Sequence, residues 1–175
     1  MSQRDSGYER KERDLYETPE WVTHALVPHL PPYVKSVYEP AAGSGKMVRA
    51  LADAGYGVHA DDISEGRDFL QCAGPLNVFS IITNPPYVLA TEFIDHALEL
   101  MKPIPGTVAM LLRTDFDHAK TREWAFSRHP AFAKKVVLTK RIQWFEDSKG
   151  SPSFNHAWFI WDWKHQGAPT LAYGP

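Results

Sequence analysis

Four consecutive residues, Asn84-Pro85-Pro86-Tyr87, carry the clearest chemical signal in this sequence. The two prolines remove backbone donors and stiffen the turn, and the residue before each proline is pushed toward extended geometry. The side-chain oxygen of Asn84 and the carbonyl oxygen of Pro85 can then both accept hydrogen bonds from one amino group. Tyr87 supplies a flat ring on which a planar substrate can stack. These residue types in this order predict a site that holds an exocyclic or amide nitrogen in place.

A second motif, Glu39-Pro40-Ala41-Ala42-Gly43-Ser44-Gly45, follows a predicted strand and precedes a predicted helix. Glycines at such a junction let the backbone approach a ligand closely. Pro40 and Met47 stand where a phosphate-binding P-loop needs a glycine and a Ser or Thr, which excludes that motif. Val48 stands where a dinucleotide fingerprint needs its third glycine, which excludes that motif as well. The Glu39 carboxylate beside the loop suits a ligand that carries an ammonium group.

Two acids, Asp61 and Asp62, lie at the end of the next predicted strand, about 20 residues beyond the glycines. An acid at this position suits the hydroxyl groups of a ribose. Asp62 is the better candidate because Ile63 after it can pack inward, and Asp61 is the second choice. In combination with Glu39 and Asn84, these acids indicate a ligand site rather than an ordinary tight turn.

Strands that alternate with helices position these motifs, and this pattern indicates an α/β domain with a mostly parallel sheet. Predicted strands cover residues 34–38, 57–60, 78–83, 107–112, 136–142 and 157–163. The last two are expected to form an antiparallel hairpin. Predicted helices follow Pro19, cover residues 47–54 and 91–101, and include one near 117–128. Thr18 is expected to cap the first helix, with Pro19 in its first turn.

The bulk composition of the 175 residues, with 43% hydrophobic and 23% charged side chains, is that of an ordinary globular protein. Residues 1–14 are almost wholly polar and are expected to be flexible. No apolar run approaches the roughly 20 residues of a membrane helix, and no secretory signal is visible. With Cys72 as the only cysteine, a reducing cytoplasm is expected, without membrane attachment and without a chemical role for this thiol.

Charged and metal-ligating side chains narrow the range of partners. Residues 1–112 carry 9 basic and 15 acidic side chains, whereas residues 113–149 carry 9 basic and 5 acidic ones. The second region is either a basic face that meets phosphates or a solvated face of mixed charge. The eight histidines show no metal-ligand spacing, so no metal is expected. The histidines expected to be structural or on the surface are His118, His129 and His156.

In their order along the chain, these motifs make the sequence resemble the class I S-adenosylmethionine-dependent methyltransferases. The resemblance is most specific to the small phage and prophage enzymes that methylate the amino group of adenine in DNA, and it extends from about Tyr16 to Trp163. It implies S-adenosyl-L-methionine as the cofactor and a Rossmann-like fold. The sheet is then expected to be mostly parallel, with seven strands or one fewer, an antiparallel carboxyl-terminal hairpin and helices on both faces.

The resemblance also implies roles for particular residues. Those implied to bind the cofactor are Tyr16, Thr18, Pro19, Glu39, Ala41, Gly43, Asp62, Asp68 and Phe69. Those implied to be catalytic are Asn84, Pro85, Pro86 and Tyr87. Residues 16–19 match the segment that contacts the methionine carboxylate, and residues 39–43 match the loop around the methionyl part. Asp62 matches the ribose acid, and Asp68 with Phe69 matches the pair that hydrogen-bonds and stacks against the cofactor's adenine.

The implied function is methylation of the exocyclic N6 of adenine in DNA, with the target base flipped out of a duplex. Tyr87 is expected to bind the base, and Phe145 and Phe154 are either a second aromatic wall or core aromatics. Residues 15–175 are expected to form a single domain without a separate target-recognition domain. Alternatives with the same chemistry are an RNA base or a protein glutamine amide as the substrate. A further alternative is a catalytically idle module that binds the cofactor and nucleic acid.

Overall fold

The computed structural model describes residues 16–74, 76–144 and 154–175. Its strands are β1 Ser36–Glu39, β2 Gly57–Ala60, β3 Ser80–Thr83, β4 Thr107–Arg113, β5 Phe132–Leu138, β6 His156–Asp162 and β7 Thr170–Gly174. Its α-helices are α1 Glu20–Leu26, α2 Lys46–Asp53 and α3 Ala90–Met101. The seven strands form one sheet in the order β2-β1-β3-β4-β6-β5-β7. Of these strands, β6 runs antiparallel to both of its neighbours, and all other pairs are parallel.

Helices cover both faces of the sheet. In β4, Val108, Met110 and Leu112 belong to the apolar cluster that includes α3. Ala109 and Leu111 belong to the opposite cluster, which includes α1 and α2. This alternation is the period of two that a strand imposes on its side chains. All five side chains are fully buried, as expected for a central strand of a sheet with two covered faces.

Two buried tryptophans of β6 tie flanking segments to the sheet. The indole nitrogen of Trp158 donates to the Val22 carbonyl of α1 at 2.8 Å. The indole nitrogen of Trp161, on the other face, donates to the Ala125 carbonyl. Because a buried indole N–H needs an acceptor, each contact stabilises the segment that supplies the carbonyl.

The predicted fold class is confirmed: the sheet is mostly parallel, its carboxyl-terminal part contains an antiparallel pair, and helices lie on both faces. The sheet has the full seven strands, and the seventh is β7, which the sequence did not predict. β7 is an edge strand whose five residues are all exposed or partly exposed. Its apolar pattern is therefore weak, and pairing with β5 makes it a strand.

The helix predicted near residues 117–128 is wrong. The structure has short 3-10 turns at Phe116–His118 and Lys120–Arg122, followed by further turns. Arg122 donates through Nε to the Phe116 carbonyl at 2.6 Å, and the Ala125 carbonyl accepts from Trp161. The backbone amides of Arg122, Glu123 and Ala125 donate to carbonyls three residues earlier, which is the 3-10 pattern, and the two side-chain contacts hold these turns in place.

Two smaller expectations also need correction. Thr18 does not cap α1, because Pro19 occupies the cap position without any side-chain cap bond, and Thr18 is buried instead. The strand predicted at 136–142 is shifted to Phe132–Leu138, with a register irregularity beside Lys134. Two lysines within the strand had masked its apolar pattern. No helix within the described part of the chain is long and apolar enough to cross a membrane.

Candidate active site

A cavity of about 320 Å³ lies at the carboxyl-terminal edge of the sheet, where β1, β2 and β3 end. Ten residues predicted from the sequence line it: Tyr16, Thr18, Glu39, Ala41, Gly43, Asp62, Asp68, Phe69, Asn84 and Pro86. The cavity's lining does not include Pro19, Pro85, Tyr87 or Phe154, and Phe145 lies outside the described residues. Parallel strands bring these loops together because their carboxyl ends meet at one edge of the sheet.

Two glycines shape the loop between β1 and α2. Gly43 and Gly45 have φ angles of 53° and 81°, in the left-handed region that other residues rarely adopt. The Gly45 amide donates to the Ala42 carbonyl at 2.8 Å, which closes a tight turn just before α2 begins at Lys46. The backbone of residues 40–44 therefore forms one wall of the cavity.

The Glu39 carboxyl group is buried at the end of β1, with 1% of the residue exposed. Its Oε1 accepts from the Ala41 amide at 3.0 Å and from the Thr83 hydroxyl at 2.6 Å. Its Oε2 is buried without a hydrogen-bond partner among the described residues. The pKa of Glu39 is raised to about 8, because burial, with a smaller contribution from the Asp62 carboxylate, outweighs the hydrogen bonds from Thr83 and Ala41. A cationic amino group in the cavity would supply the missing partner.

Asp62, at the end of β2, presents a carboxylate held by the backbone. Its Oδ2 accepts from the Gly43 amide and its Oδ1 from the Ser64 amide, each at 2.8 Å. Burial opposes ionisation, but these hydrogen bonds outweigh it and lower the pKa of Asp62. Asp61 points elsewhere, toward Arg67 and the Tyr38 hydroxyl. Asp62 is thus the acid that lies on the cavity wall, ionised and fixed in place.

One reason given for preferring Asp62 is wrong. Ile63 does not pack inward, since 64% of its surface is exposed. A 3-10 turn over Ile63–Glu65 begins directly after Asp62 and holds the Ile63 side chain at the cavity wall. Ile63 is therefore an apolar lining residue that the sequence reasoning had assigned to the core.

Asp68 and Phe69 lie on the same wall in different settings. The Asp68 side chain accepts from the Leu70 amide at 3.0 Å and is otherwise exposed. The Phe69 ring is 2% exposed and packs against Phe93 and His96, with ring centroids 4.8 Å and 4.9 Å away. Phe69 thus forms an apolar floor that is anchored in the core.

Asn84 places its two amide atoms in different surroundings. The Nδ2 group donates to the Tyr16 carbonyl at 3.0 Å. A carbonyl accepts only, so this contact fixes which end of the amide faces Tyr16. The Oδ1 atom is buried and has no hydrogen-bond partner among the described residues. The arrangement leaves a fixed acceptor beside the cavity.

Tyr87 belongs to a cluster of four rings beside Asn84, which we call the aromatic cluster: Tyr16, Tyr87, Trp144 and His156. The Tyr87 hydroxyl lies 2.9 Å from the His156 Nε2 atom. The Tyr16 and Tyr87 rings are nearly parallel, with centroids 6.0 Å apart. Trp144 contacts both Tyr16 and His156, at centroid distances of 5.4 Å and 5.2 Å. The cluster joins segments that are far apart in the sequence.

Sequence reasoning missed several of these partners. Thr83 is the last residue of a buried strand and carries no motif, although its hydroxyl bonds Glu39. His156 was expected to be structural or on the surface, and no local pattern pairs it with Tyr87, 69 residues away. Trp144 belongs to no motif in the sequence. Only the pairing of strands brings these side chains to the site.

The Phe154 ring lies outside the cavity. Its residue is 38% exposed, and the Arg113 guanidinium lies 4.2 Å from its ring centroid. This exposed stacked pair stands at the same edge of the sheet as His156, because Arg113 pairs with His156 between β4 and β6. Phe154 is thus not a core aromatic, and its role as a second wall stays a prediction.

The segment that precedes α1 is tied to the glycine loop across the cavity. Glu17 and Lys46 form an ion pair at 2.9 Å, with 37% and 40% of their side chains exposed. Hydrogen bonds from Ser44 and Lys46 lower the pKa of Glu17. Together with the bond between Asn84 and the Tyr16 carbonyl, this ion pair holds residues 16–18 over the cavity.

Three of the described basic side chains after residue 112 form ion pairs with acids. The ion pairs are Arg113–Asp115, Arg128–Glu123 and Lys135–Asp117. This part of the surface therefore combines paired charges with a basic excess, and a role of that excess in meeting phosphates stays a prediction. In the described part of the chain, no group of three or more His, Cys, Asp or Glu side chains could hold a metal ion.

The sequence matches no protein-family model and no curated protein. The structure is similar to a protein from Listeria monocytogenes assigned to the class I S-adenosylmethionine-dependent methyltransferases, with a TM-score of 0.66 and 13% identity. That alignment covers 93% of this chain and 66% of the other. The protein has the class I methyltransferase fold.

Two further proteins with this fold are described as an rRNA methyltransferase and as part of a restriction enzyme. The 23S rRNA methyltransferase ErmE aligns with a TM-score of 0.56 and 19% identity, over 85% of this chain and 68% of that one. A chain from Vibrio vulnificus YJ016, assigned as a modification subunit of a type I restriction enzyme, aligns with a TM-score of 0.56 and 16% identity. This protein spans 48% of that chain, and 97% of this chain is covered. At such identities, the similarity concerns the class I methyltransferase fold alone.

Proposed function

We propose that this protein is an S-adenosylmethionine-dependent amino-methyltransferase, and that its substrate is the exocyclic N6 of adenine in DNA. The observation that carries the proposal is the buried, fixed and unpartnered Oδ1 atom of Asn84, next to a cavity with a second unpartnered acceptor at Glu39. Buried polar atoms are normally hydrogen-bonded. Two buried oxygens without partners, both among the described residues of one site, support the proposal that bound ligands supply the missing hydrogen-bond donors.

The cavity fits S-adenosyl-L-methionine. Glu39 Oε2 suits the ammonium group of the methionyl part, and the Asp62 carboxylate suits the ribose hydroxyls. The apolar Ile63 and Phe69 suit the adenine ring. The bound cofactor supplies a methyl group on a positively charged sulfonium. The roles of these residues are proposals that rest on their placement and chemistry.

Asn84 and Pro85 act on the acceptor nitrogen. The lone pair of an adenine amino group is delocalised into the ring, which makes the nitrogen a poor nucleophile. When Asn84 Oδ1 and the Pro85 carbonyl accept hydrogen bonds from its two N–H groups, the nitrogen is drawn toward tetrahedral geometry and its lone pair is localised. As the N–C bond forms and the C–S bond breaks, positive charge moves from the sulfonium to the acceptor nitrogen, which then loses one proton to solvent. Two fixed oxygens that face this nitrogen align it and stabilise the developing charge.

Several observations favour nucleic acid over a protein amide as the substrate. The aromatic cluster beside Asn84 provides flat surfaces of the kind on which bases stack. The basic excess after residue 112 lies on segments that flank the site, including Arg113 at the end of β4. Two of the fold neighbours, ErmE and the modification subunit, are described as an rRNA methyltransferase and as part of a restriction enzyme.

The test is to incubate the purified protein with methyl-labelled cofactor and, separately, with DNA, RNA and total protein. Each polymer is then digested and the modified unit identified. We expect N6-methyl-2′-deoxyadenosine from the DNA arm. If label appears only in RNA, the substrate is an RNA base and not DNA. If label appears only in protein, as methylglutamine, the substrate is a side-chain amide.

A binding measurement separates an enzyme from an idle cofactor-binding module. Calorimetry with S-adenosyl-L-methionine gives the affinity independently of transfer. Binding without label in any polymer would favour the idle module, and the absence of binding would overturn the cofactor assignment.

A further inference from the structure

His156 is a buried histidine at the start of β6. Only 2% of the residue is exposed. Its Nε2 atom lies 2.9 Å from the Tyr87 hydroxyl, and the two rings are within 23° of parallel, with centroids 6.0 Å apart. The edge of Trp144 closes the site at a centroid distance of 5.2 Å. His156 is thus held among ring systems, with a polar contact to the catalytic loop.

The His156 ring comes from a rigid part of the molecule, whereas Tyr87 comes from a loop. His156 is paired with Arg113 in the antiparallel ladder between β4 and β6, in the middle of the sheet order. Tyr87 begins a single 3-10 turn between β3 and α3. A hydrogen bond between the two side chains can therefore restrict the movement of the loop that carries Asn84 and Tyr87.

We propose that His156 is a positioning residue, whose neutral imidazole holds the Tyr87 hydroxyl and thereby sets the plane of the ring that receives the acceptor base. This inference rests on the proposed function, since it needs a planar acceptor at Tyr87. His156 does not touch the reacting atoms. It acts through Tyr87 on the orientation of the base relative to Asn84.

The charges around His156 keep it neutral. The pKa of His156 is lowered to about 4, mainly by burial and also by the Arg113 guanidinium, whereas Asp115 works in the opposite direction. The Phe154 backbone, through a hydrogen bond that raises the pKa, and the Tyr87 hydroxyl also face the ring. A neutral imidazole has one donor and one acceptor nitrogen, so it can form a hydrogen bond with the Tyr87 hydroxyl in either direction without bringing a charge to the site.

A double-mutant cycle tests the proposal. We would compare wild type, Tyr87→Phe, His156→Leu and the double variant in single-turnover methyl transfer, at saturating cofactor and nucleic acid. Because both single variants remove the same hydrogen bond, each should slow transfer by about 5- to 10-fold. The double variant should be no more than about twofold slower than Tyr87→Phe alone. Cofactor affinity should stay unchanged in all four proteins.

Two variants separate positioning from a structural role. His156→Gln keeps a polar group near the position of Nε2 and should recover much of the rate that His156→Leu loses. His24→Gln makes the same substitution at an exposed site on α1 and should leave transfer unchanged. If His156→Leu fails to fold, the ¹⁵N shift of the His156 imidazole in Tyr87→Phe gives the same information, because losing the hydroxyl should move it.

The outcomes are distinct. A wild type that methylates none of the three polymers overturns the proposed function, and the role of His156 falls with it. An active wild type with additive effects in the cycle overturns only the positioning role, as does an unchanged imidazole shift in Tyr87→Phe. Coupled effects with rescue by His156→Gln support it.

Discussion

The two ends of the Asn84 amide have different roles. The nitrogen donates a hydrogen bond to the Tyr16 carbonyl, and the oxygen is a buried acceptor without a partner among the described residues. Removing the side chain therefore affects two functions to different extents. The nitrogen's bond is one neutral contact to a segment that other contacts also hold. The oxygen is one of two atoms proposed to bind the acceptor amino group.

We expect Asn84→Ala to lower methyl transfer by at least about 100-fold, because the acceptor nitrogen loses a fixed hydrogen-bond partner. Cofactor affinity should fall by no more than about 5- to 10-fold, the value of one neutral hydrogen bond at Tyr16. Single-turnover kinetics and calorimetry measure the two effects separately. Asn77→Ala, at an exposed position, is the matched control. Near-normal turnover in Asn84→Ala would refute the role of Asn84.

Glu39 predicts a pH dependence of stability. Its pKa is raised by burial to about 8 from an ordinary value of 4.5, so the folded protein keeps a proton that the unfolded chain releases. The stability of the cofactor-free protein should therefore fall as pH rises from about 4.5 to about 8, and level off above that. Glu39→Gln should not show this fall, and the difference between the two proteins should reach on the order of 2–4 kcal/mol.

Urea unfolding of both proteins at several pH values measures this difference. His156, with its lowered pKa, makes both proteins less stable as pH falls from 6.5 toward about 4, and its effect cancels in the comparison. Parallel pH profiles for wild type and Glu39→Gln would show that Glu39 is ionised in the folded protein. Glu39→Gln should also bind S-adenosyl-L-methionine more weakly.

At the scale of elements, the connection between α3 and β4 sets how closely the carboxyl-terminal end of α3 packs on the sheet. Gly106, in this connection, donates to the Met101 carbonyl at 3.0 Å and leaves no room for a side chain. A Cβ atom there would lie 2.8 Å from the Met101 sulfur and 2.9 Å from the Phe79 carbonyl oxygen. Met101 is fully buried, so it has little freedom to move aside.

We expect Gly106→Ala to destabilise the protein by about 1–3 kcal/mol through overpacking. Gly57→Ala is the matched control, since its nearest contact would be the Lys35 carbonyl at 3.8 Å. That variant should stay within about 1 kcal/mol of wild type. Urea unfolding checks both. Equal stability of the two variants would mean that the connection repacks without cost.

At the scale of the whole molecule, the charge distribution predicts how nucleic-acid binding depends on salt. Three of the nine basic side chains in residues 113–149, Arg113, Arg128 and Lys135, are already paired with acids, so only part of the basic excess is available to phosphates. We expect the logarithm of the DNA affinity to fall with the logarithm of salt concentration at a slope of about −2 to −4. Fluorescence anisotropy over a salt series measures it. A slope near zero would argue against a phosphate-binding face.

Much of the fold was predictable because its strands are short apolar runs with clear ends. Residues 57–60 and 107–112 needed little or no correction, and α3 follows its apolar periodicity. The segment 117–128 was not predictable, because its turns depend on carbonyls used by side chains from elsewhere, such as Trp161. β7 was missed because its strand geometry depends on pairing with β5.

The sequence by itself determined which segments could contact a ligand: Asn84 to Tyr87 and the Glu39 to Gly45 loop are local patterns whose residue types are sufficient to suggest such contacts. Only the tertiary structure decided which atoms remain available. Thr83 and Ala41 occupy one oxygen of Glu39, and Tyr16 fixes the Asn84 amide. These partners lie on other segments, and their contacts arise only when parallel strands bring distant loops to one edge of the sheet.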